Sequence, residues 1–319
     1  LYYCSMKKLL LLLVILPMTC LSQSQYYMDY IPSSTTGQVI HHKYYSLSYS
    51  EDHETAEWTI YHLSNERMLG TVSRTDNFRS DPLVNTGSAN LSDYRGSGYD
   101  RGHLVPAHDM SFDAIAMSES FYLSNIALQE PWFNRGYLTG VERQIRTWAS
   151  KYDSLIIITG VVFRDSNYIS IGNSNVAVPA AYYKVVIDIQ RLSGIAFVFP
   201  FDMKRNLKDD DLQTFLYSID ELQEITGVNF LKDLPDDIQD SIENKVKVCD
   251  WFSVNKTVVE KKVALVIGNE NYKQNELVNP VNDAKLIHKT LDDIGVDTIL
   301  FCTNIGLDSM YIVMQEFYN

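Results

Sequence analysis

The chain of 319 residues is poor in cysteine: it has four, and two of them, Cys4 and Cys20, lie within its first 20 residues. Cys249 and Cys302 remain, enough for one disulfide and too few for a fold built on disulfides. No CxxC pair or Cys/His cluster occurs, so structural zinc of the finger type is excluded. Positive charge is also scarce. Against 40 Asp and Glu there are only 27 Lys and Arg, a formal net charge of −13. A broad basic face for gripping nucleic acid is therefore excluded, and any phosphate contact must be local. The apolar run Leu9–Leu16 is too short to span a bilayer, so no stable membrane insertion is expected. Internal repeats and low-complexity tracts are absent.

What is present reads as globular. The length suits one large domain or two small ones. Charge is uneven: residues 206–260 carry 5 basic against 13 acidic side chains, whereas 26–205 carry 15 against 19. Tyrosine is abundant, with 21 residues, most of them expected in the core and on strands. At the N-terminus, Leu1 to Ser5 precede Met6 and read as translated upstream sequence. Lys7, Lys8, the Leu9–Leu16 run and the small residues Cys20 and Ser22 then predict a signal peptide over 1–22 and a secreted or periplasmic location. A lipid-modified Cys20 is disfavoured by the bulky Pro17 and Met18 before it.

Residues 26–50 predict an extended arm and an early strand. "EWTIYHLS", "LIIITGVVF" (155–163), "YYKVVIDI" and "IAFVFPF" predict strands, the last two joined by a turn at "QRLSG". Leu138, Val141, Ile145 and Trp148 recur at helical spacing and predict a helix from about 136 to 151. A single helix is expected over 209–226, started by Asp209–Asp211 and closed by Gly227, and a short acidic one over 235–247. The polar stretch 253–260 reads as a linker. Beyond it, "VALVIGN", a helix from Pro280 to about Ile294, "VDTILFC" and a helix beginning "DSMYIVMQEF" follow a βαβα order. Two strands are too few to bury both faces of a sheet.

The chemistry concentrates in "GYDRGHLVPAHDMSFDAIAMSESFYLSNIALQEPWFNRGYLTGVE", from Gly98 to Glu142. His103 is a candidate base near neutral pH, and Arg101 carries a permanent charge suited to phosphate. Asn134 and Glu142 offer hard oxygen atoms, which favour Mg²⁺ over zinc. A base, a hard-metal site and arginines together describe phosphodiester hydrolysis. Taken singly, each of these residues has a plain alternative as a satisfied loop side chain or a helix cap. The adjacent His108 and Asp109 do not face each other and read as a structural pair. His41 and His42 read as a surface pair in the arm, and "KDDD" at 208–211 as a helix start.

"DRGH" at 100–103, "FYLSN" ending at Asn125, "FNRG" holding Asn134, "GVE" ending at Glu142 and the upstream "SRTDNFRSDP" together resemble the DNA/RNA non-specific endonucleases, the family of endonuclease G and the Serratia-type nuclease. The resemblance runs from about Tyr44 to Val248 and departs at Leu128, where many relatives have proline. It implies an α+β nuclease domain, a ββα-metal finger set in a mixed sheet, over residues 40–252. It implies His103 as general base and Asn134 as the one direct protein ligand of Mg²⁺, with Mn²⁺ as a substitute. Glu142 would orient metal-bound water, Arg74 and Arg101 would stabilise phosphate charge, and Asn125 would support the site. Implied partners are DNA and RNA; a homodimer is left open and no small-molecule cofactor is implied.

"VALVIGNENY" and "LVNPVNDAK" resemble the opening of a caspase-like peptidase domain, incomplete over 261–319. His288 and Cys302 do not fall at that family's catalytic positions and read as structural. Two rival functions stand beside the nuclease: a caspase-like peptidase whose nuclease-like half only binds nucleic acid, and a non-catalytic interaction module.

Overall fold

In the computed structural model the described residues are 27–163, 168–201, 203, 209–244, 246–252, 263–270, 279–293, 296, 298–306, 309–310 and 313. The leader, the 253–260 linker and most of the helix expected from Asp308 lie outside them. The chain divides into two compact units, Leu1–Trp251 and Phe252–Asn319.

The first unit begins with β1 (Val39–His41), β2 (Tyr45–Ser50), β3 (Thr55–Ser64) and the single turn α1 (Asn65–Met68). Then follow β4 (Asp100–His103), α2 (Ala114–Glu119), β5 (Ile126–Gln129), α3 (Leu138–Tyr152), β6 (Ser154–Val162) and the short pair β7 (Ser170–Ile171) and β8 (Val176–Ala177). It ends with β9 (Ala181–Asp188), β10 (Ser193–Pro200), β11 (Leu216–Tyr217), α4 (Ile219–Thr226), α5 (Asp236–Glu243) and α6 (Val248–Trp251).

Seven strands form one sheet in the order β1-β2-β3-β6-β9-β10-β11. Every pairing in it is antiparallel, which corrects the mixed sheet expected. The reason is the route of the chain between β3 and β6. It leaves the end of β3, builds the whole site region, and returns through α3 to enter β6 running back along β3.

Strand alternation puts Trp58, Ile60, Ile156, Ile158, Tyr183 and Val185 on one face, under Ile219, Leu222, Phe230 and Ile242 from α4, α5 and the loop between them. The other face carries Tyr61, Lys184, Phe197 and Phe199 beneath α3. Leu138, Val141, Ile145, Trp148 and Tyr152 of that helix are all buried, each aliphatic side chain contributing about 1.5–3 kcal/mol. β3 therefore alternates in sequence yet is buried on both sides from Thr55 to Leu63.

Two local expectations are corrected. The stretch 209–226 is not one helix but a 3₁₀ segment (Asp209–Phe215), β11 and α4. A new helix starts because Ser218 accepts from the Glu221 N–H while Glu221 accepts from the Ser218 N–H, a capping box. Gly227 closes it as expected. His42 is not a surface residue either. It is buried, bonded through Nε2 to Asp81 at 2.9 Å, and stacked on Tyr45 and Tyr122. β1 is already part of the sheet there.

In the second unit β12 (Val263–Gly268) and β13 (Thr298–Thr303) pair in parallel, joined through α7 (Pro280–Asp293). Val266 and Ala284 are buried, whereas Leu286 and Ile287 are 66 % and 53 % exposed. Cys249 of the first unit is an exposed free thiol, and Cys302 of the second is a half-buried one.

Candidate active site

β4 and β5 pair antiparallel, with Asp100 opposite Gln129 and His103 opposite Ile126. The chain then enters a π turn over Phe133–Tyr137 that runs directly into α3, completing a ββα unit. The glycine of "DRGH" is favoured by close approach: a Cβ on Gly102 would lie 2.0 Å from Cδ of the buried Gln129 side chain, which would have to move.

His103 closes β4. Its ring meets Phe121 edge-on at 4.8 Å and lies tilted on Phe78 at 5.5 Å. The same two rings carry the arginines: the Arg74 guanidinium sits over Phe121 at 4.8 Å and that of Arg101 over Phe78 at 4.1 Å. Nε2 of His103 is shut off from solvent and has no hydrogen-bond partner among the described residues. Burial and then the charge of Arg74 push its pKa down to about 3; Asp76 pulls the other way, and Arg101 adds a smaller push down. The imidazole is thus neutral at physiological pH with an uncommitted nitrogen.

Asn134 stands in the π turn. Its Nδ2 donates to Oδ2 of Asp100 at 2.9 Å. A carboxylate only accepts, so this contact fixes which amide atom faces Asp100 and turns Oδ1 away. Arg135 donates to the same carboxylate from Nε at 2.7 Å and from a terminal nitrogen at 2.5 Å. Those bonds hold the Asp100 carboxyl below the usual carboxylate range. The Asn134 carbonyl oxygen is a neutral hard donor and fits Mg²⁺ or Mn²⁺. Among the described residues no three His, Cys, Asp or Glu side chains cluster as a metal cage, so a cation at Asn134 would draw most of its ligands from water and phosphate.

Arg74, Arg101 and Asn134 line one cavity of about 430 Å³; His103 does not line it but rests against Phe78, which does. Glu142 does not line it either. It faces Lys184, Asp109 and Arg146 between α3 and the sheet, where burial raises its pKa to about 7, Lys184 and Arg146 pull it down and Asp109 pushes it up. Its place relative to Asn134 depends on the π turn. Eight α-helical residues overshoot two turns by about 80°, and the extra residue of an i→i+5 turn takes up most of that excess.

Asn125 is fully buried behind the site. Its Oδ1 accepts from Val105 N–H at 2.9 Å, and its Nδ2 donates to the carbonyls of Val105 at 3.1 Å and Ser120 at 2.8 Å. It pins the chain leaving His103 and has no amide group left for a ligand. Asp109 is taken by Tyr61 at 2.7 Å and Arg146 at 3.0 Å, while His108 is exposed, so that pair is structural as expected. In the second unit the His288 ring packs on Phe301. Asp100, Phe78 and Phe121 are the contributors not singled out for the site from sequence. Asp100 lies within "DRGH", but its partner is 34 residues away.

The chain matches the family model described as DNA/RNA non-specific endonuclease over residues 22–237. It belongs to that family. Residues 261–319 match the caspase domain model. Among similar proteins, mouse "Nuclease EXOG, mitochondrial" is 32 % identical over 203 residues, covering 58 % of this chain and 55 % of that one. Human "Endonuclease G, mitochondrial" is 31 % identical over 203 residues, covering 60 % and 68 %. A chain in the crystal structure of the EndoG/EndoGI complex superposes with a TM-score of 0.58 at 26 % identity, covering 67 % of this chain and 93 % of that one. The chain spans little more than half the length of the EXOG relatives it matches.

These relatives overturn the secreted or periplasmic location. The mouse and human EXOG nucleases, a fission yeast nuclease and human endonuclease G are all named mitochondrial, not secreted or periplasmic. A basic residue pair followed by an apolar run was too general a signal to fix the destination.

Proposed function

We propose that the first unit is a divalent-metal-dependent endonuclease that hydrolyses phosphodiester bonds of DNA and RNA without marked sequence specificity. The observation that carries this reading is the pairing of a neutral His103, set on the same two aromatic rings as Arg74 and Arg101, with an Asn134 amide held so that its oxygen is free for a hard cation. Family membership supports it.

His103 takes the proton of a water as that water attacks phosphorus. Its basicity is low in the absence of an anion, first because the ring is buried and then because the Arg74 and Arg101 charges add to that. A phosphate seated between the arginines offsets those charges and raises the imidazole towards its working range. Arg74 and Arg101 stabilise the charge that builds on the non-bridging oxygens. Asn134 would hold the cation and Glu142 would orient water around it; when bound, the cation supplies Lewis-acid neutralisation of phosphate charge. The bond from phosphorus to the 3′-oxygen breaks and that oxygen takes a proton from solvent water, leaving 5′-phosphate and 3′-hydroxyl ends. Location follows the relatives, in mitochondria.

The test is cleavage of supercoiled plasmid and of a structured RNA with Mg²⁺, with and without EDTA. Both should be cut, EDTA should stop both, and the DNA ends should ligate without prior phosphorylation. Cleavage that persists in EDTA, or ends that need a kinase before ligation, would sink the reading.

A further inference from the structure

The cavity is larger than a single phosphate needs. A phosphate has five heavy atoms, about 150 Å³ at the packing of liquid water, whereas the cavity measures about 430 Å³. Its charges are also unbalanced. Arg74 is paired with Asp76 at 2.7 Å and Arg135 with Asp100 at 2.5 Å. Arg95 and Arg101 line the same cavity and have no ion-pair partner among the described residues. One of these two cations is accounted for by the scissile phosphate. The other, on an exposed residue in a chain of net charge −13, is not.

The wall that carries Arg95 is built to stay in place. Asp93 accepts from the N–H groups of Asn90 at 2.8 Å and Asn173 at 2.9 Å, and from the Ser174 hydroxyl at 2.8 Å. The Arg95 N–H donates to Ser92 O at 3.2 Å. Gly96 and Gly98, at φ 72° and 84°, then turn the chain back, with the Ser97 hydroxyl donating to Tyr94 O and accepting from the Tyr99 N–H. Tyr99 is braced edge-on against Phe201 at 5.9 Å, and Leu91 leaves 42 % of its surface exposed on the same wall. An unpaired cation on a braced backbone, lining the same cavity as a braced aromatic ring and an apolar side chain, suits a nucleotide: one phosphate and the flat or apolar surface of a base or sugar.

We propose that Arg95, Tyr99 and Leu91 form a subsite for the nucleotide flanking the scissile bond, in which Arg95 takes the neighbouring phosphodiester, so that the enzyme selects polynucleotide chains over single phosphodiesters. This rests on the nuclease reading above. Arg95 contributes to substrate binding, and its effect grows with the number of phosphates the substrate offers.

The test compares a DNA dinucleotide, which has one phosphodiester, with a single-stranded 12-mer, under saturating Mg²⁺. For Arg95→Ala, kcat/KM on the 12-mer should fall about tenfold or more, the value of one charge-assisted contact, and at least five times further than on the dinucleotide. The slope of log KM against log salt for the 12-mer should drop by about 0.7, the amount for one phosphate on a single strand. Arg95→Lys should restore that slope, and Tyr99→Ala should raise KM on the 12-mer more than Tyr99→Phe does. Equal losses on both substrates, or an unchanged salt slope, would overturn the subsite while leaving the nuclease reading intact. A wild-type chain that cuts neither substrate with metal present would remove both.

Discussion

Asp100→Asn should weaken the response to metal without unfolding the protein. Asp100 accepts one hydrogen bond from Asn134 and two from Arg135 on a side chain that is 12 % exposed. The new amide has a single acceptor oxygen where the carboxylate had two. Turned towards Asn134, that oxygen leaves an N–H₂ group facing the Arg135 guanidinium; turned the other way, it leaves N–H₂ facing N–H₂. Arg135 is 73 % exposed and can swing into water, so the first arrangement should win. Asn134 then keeps a neutral hydrogen bond worth about 0.5–1.5 kcal/mol in place of a charged one worth about 1.5–3. The loss of about 1–1.5 kcal/mol in the preference for the metal-facing orientation corresponds to about tenfold. Loss of the nearby negative charge acts in the same direction, and changes to groups that orient metal ligands typically cost 10–100-fold in metal affinity. In a plasmid-nicking titration the Mg²⁺ concentration for half-maximal rate should therefore rise about tenfold or more, with the circular dichroism spectrum unchanged. A shift of less than about twofold would refute the argument that Asp100 sets the Asn134 amide.

Burial raises the Glu142 pKa to about 7, and the water-orienting role proposed for it needs the ionised form, so the rate should climb as pH rises through that value. Lys184 pulls that pKa down, so Lys184→Met should move the climb to higher pH; an unmoved pH–rate profile would show that Glu142 does not control it. Asn125→Ala strands the Val105 N–H in the core and should cost about 2–4 kcal/mol by urea unfolding, whereas a loss below about 0.5 would contradict the pinning role. Trp251 is 2 % exposed and meets Trp148 edge-on at 5.3 Å, so Trp251→Ala should cost about 3–5 kcal/mol, while a chain ended at Lys256 should keep nuclease activity. Loss of activity in that shortened chain would place the boundary between the two units elsewhere.

The elements with strong local signals were legible in the sequence. α3 followed from its 3–4 spacing of large apolar residues, and the strands 154–162, 181–188 and 193–200 from continuous apolar runs. "DRGH" and its ordered neighbours marked the candidate site through their resemblance to the family. Relations across long sequence separations were not legible. The antiparallel pairing of β3 with β6 depends on how the chain returns from the site region, and the Asp100–Asn134 bond spans 34 residues. His42 was misread because its partner Asp81 lies 39 residues on, and nothing local marks it as buried. The split of 209–226 did leave a signal: Ser218 and Glu221 have capping-box spacing, but a continuous apolar stripe outweighed it. The π turn left none, since an i→i+5 turn has no residue preference strong enough to read.

The central claim is that His103 is the base of phosphodiester hydrolysis, and His103→Ala tests it most directly. Single-turnover cleavage of a labelled duplex with Mg²⁺ should be measured alongside binding of the same duplex in Ca²⁺. The cleavage rate should fall by about 10²–10⁴-fold, with duplex affinity within about twofold of wild type, because loss of a general base removes proton transfer and leaves the arginines in place. A variant that keeps more than half of the wild-type rate, or one whose loss is matched by an equal loss of binding, would contradict it.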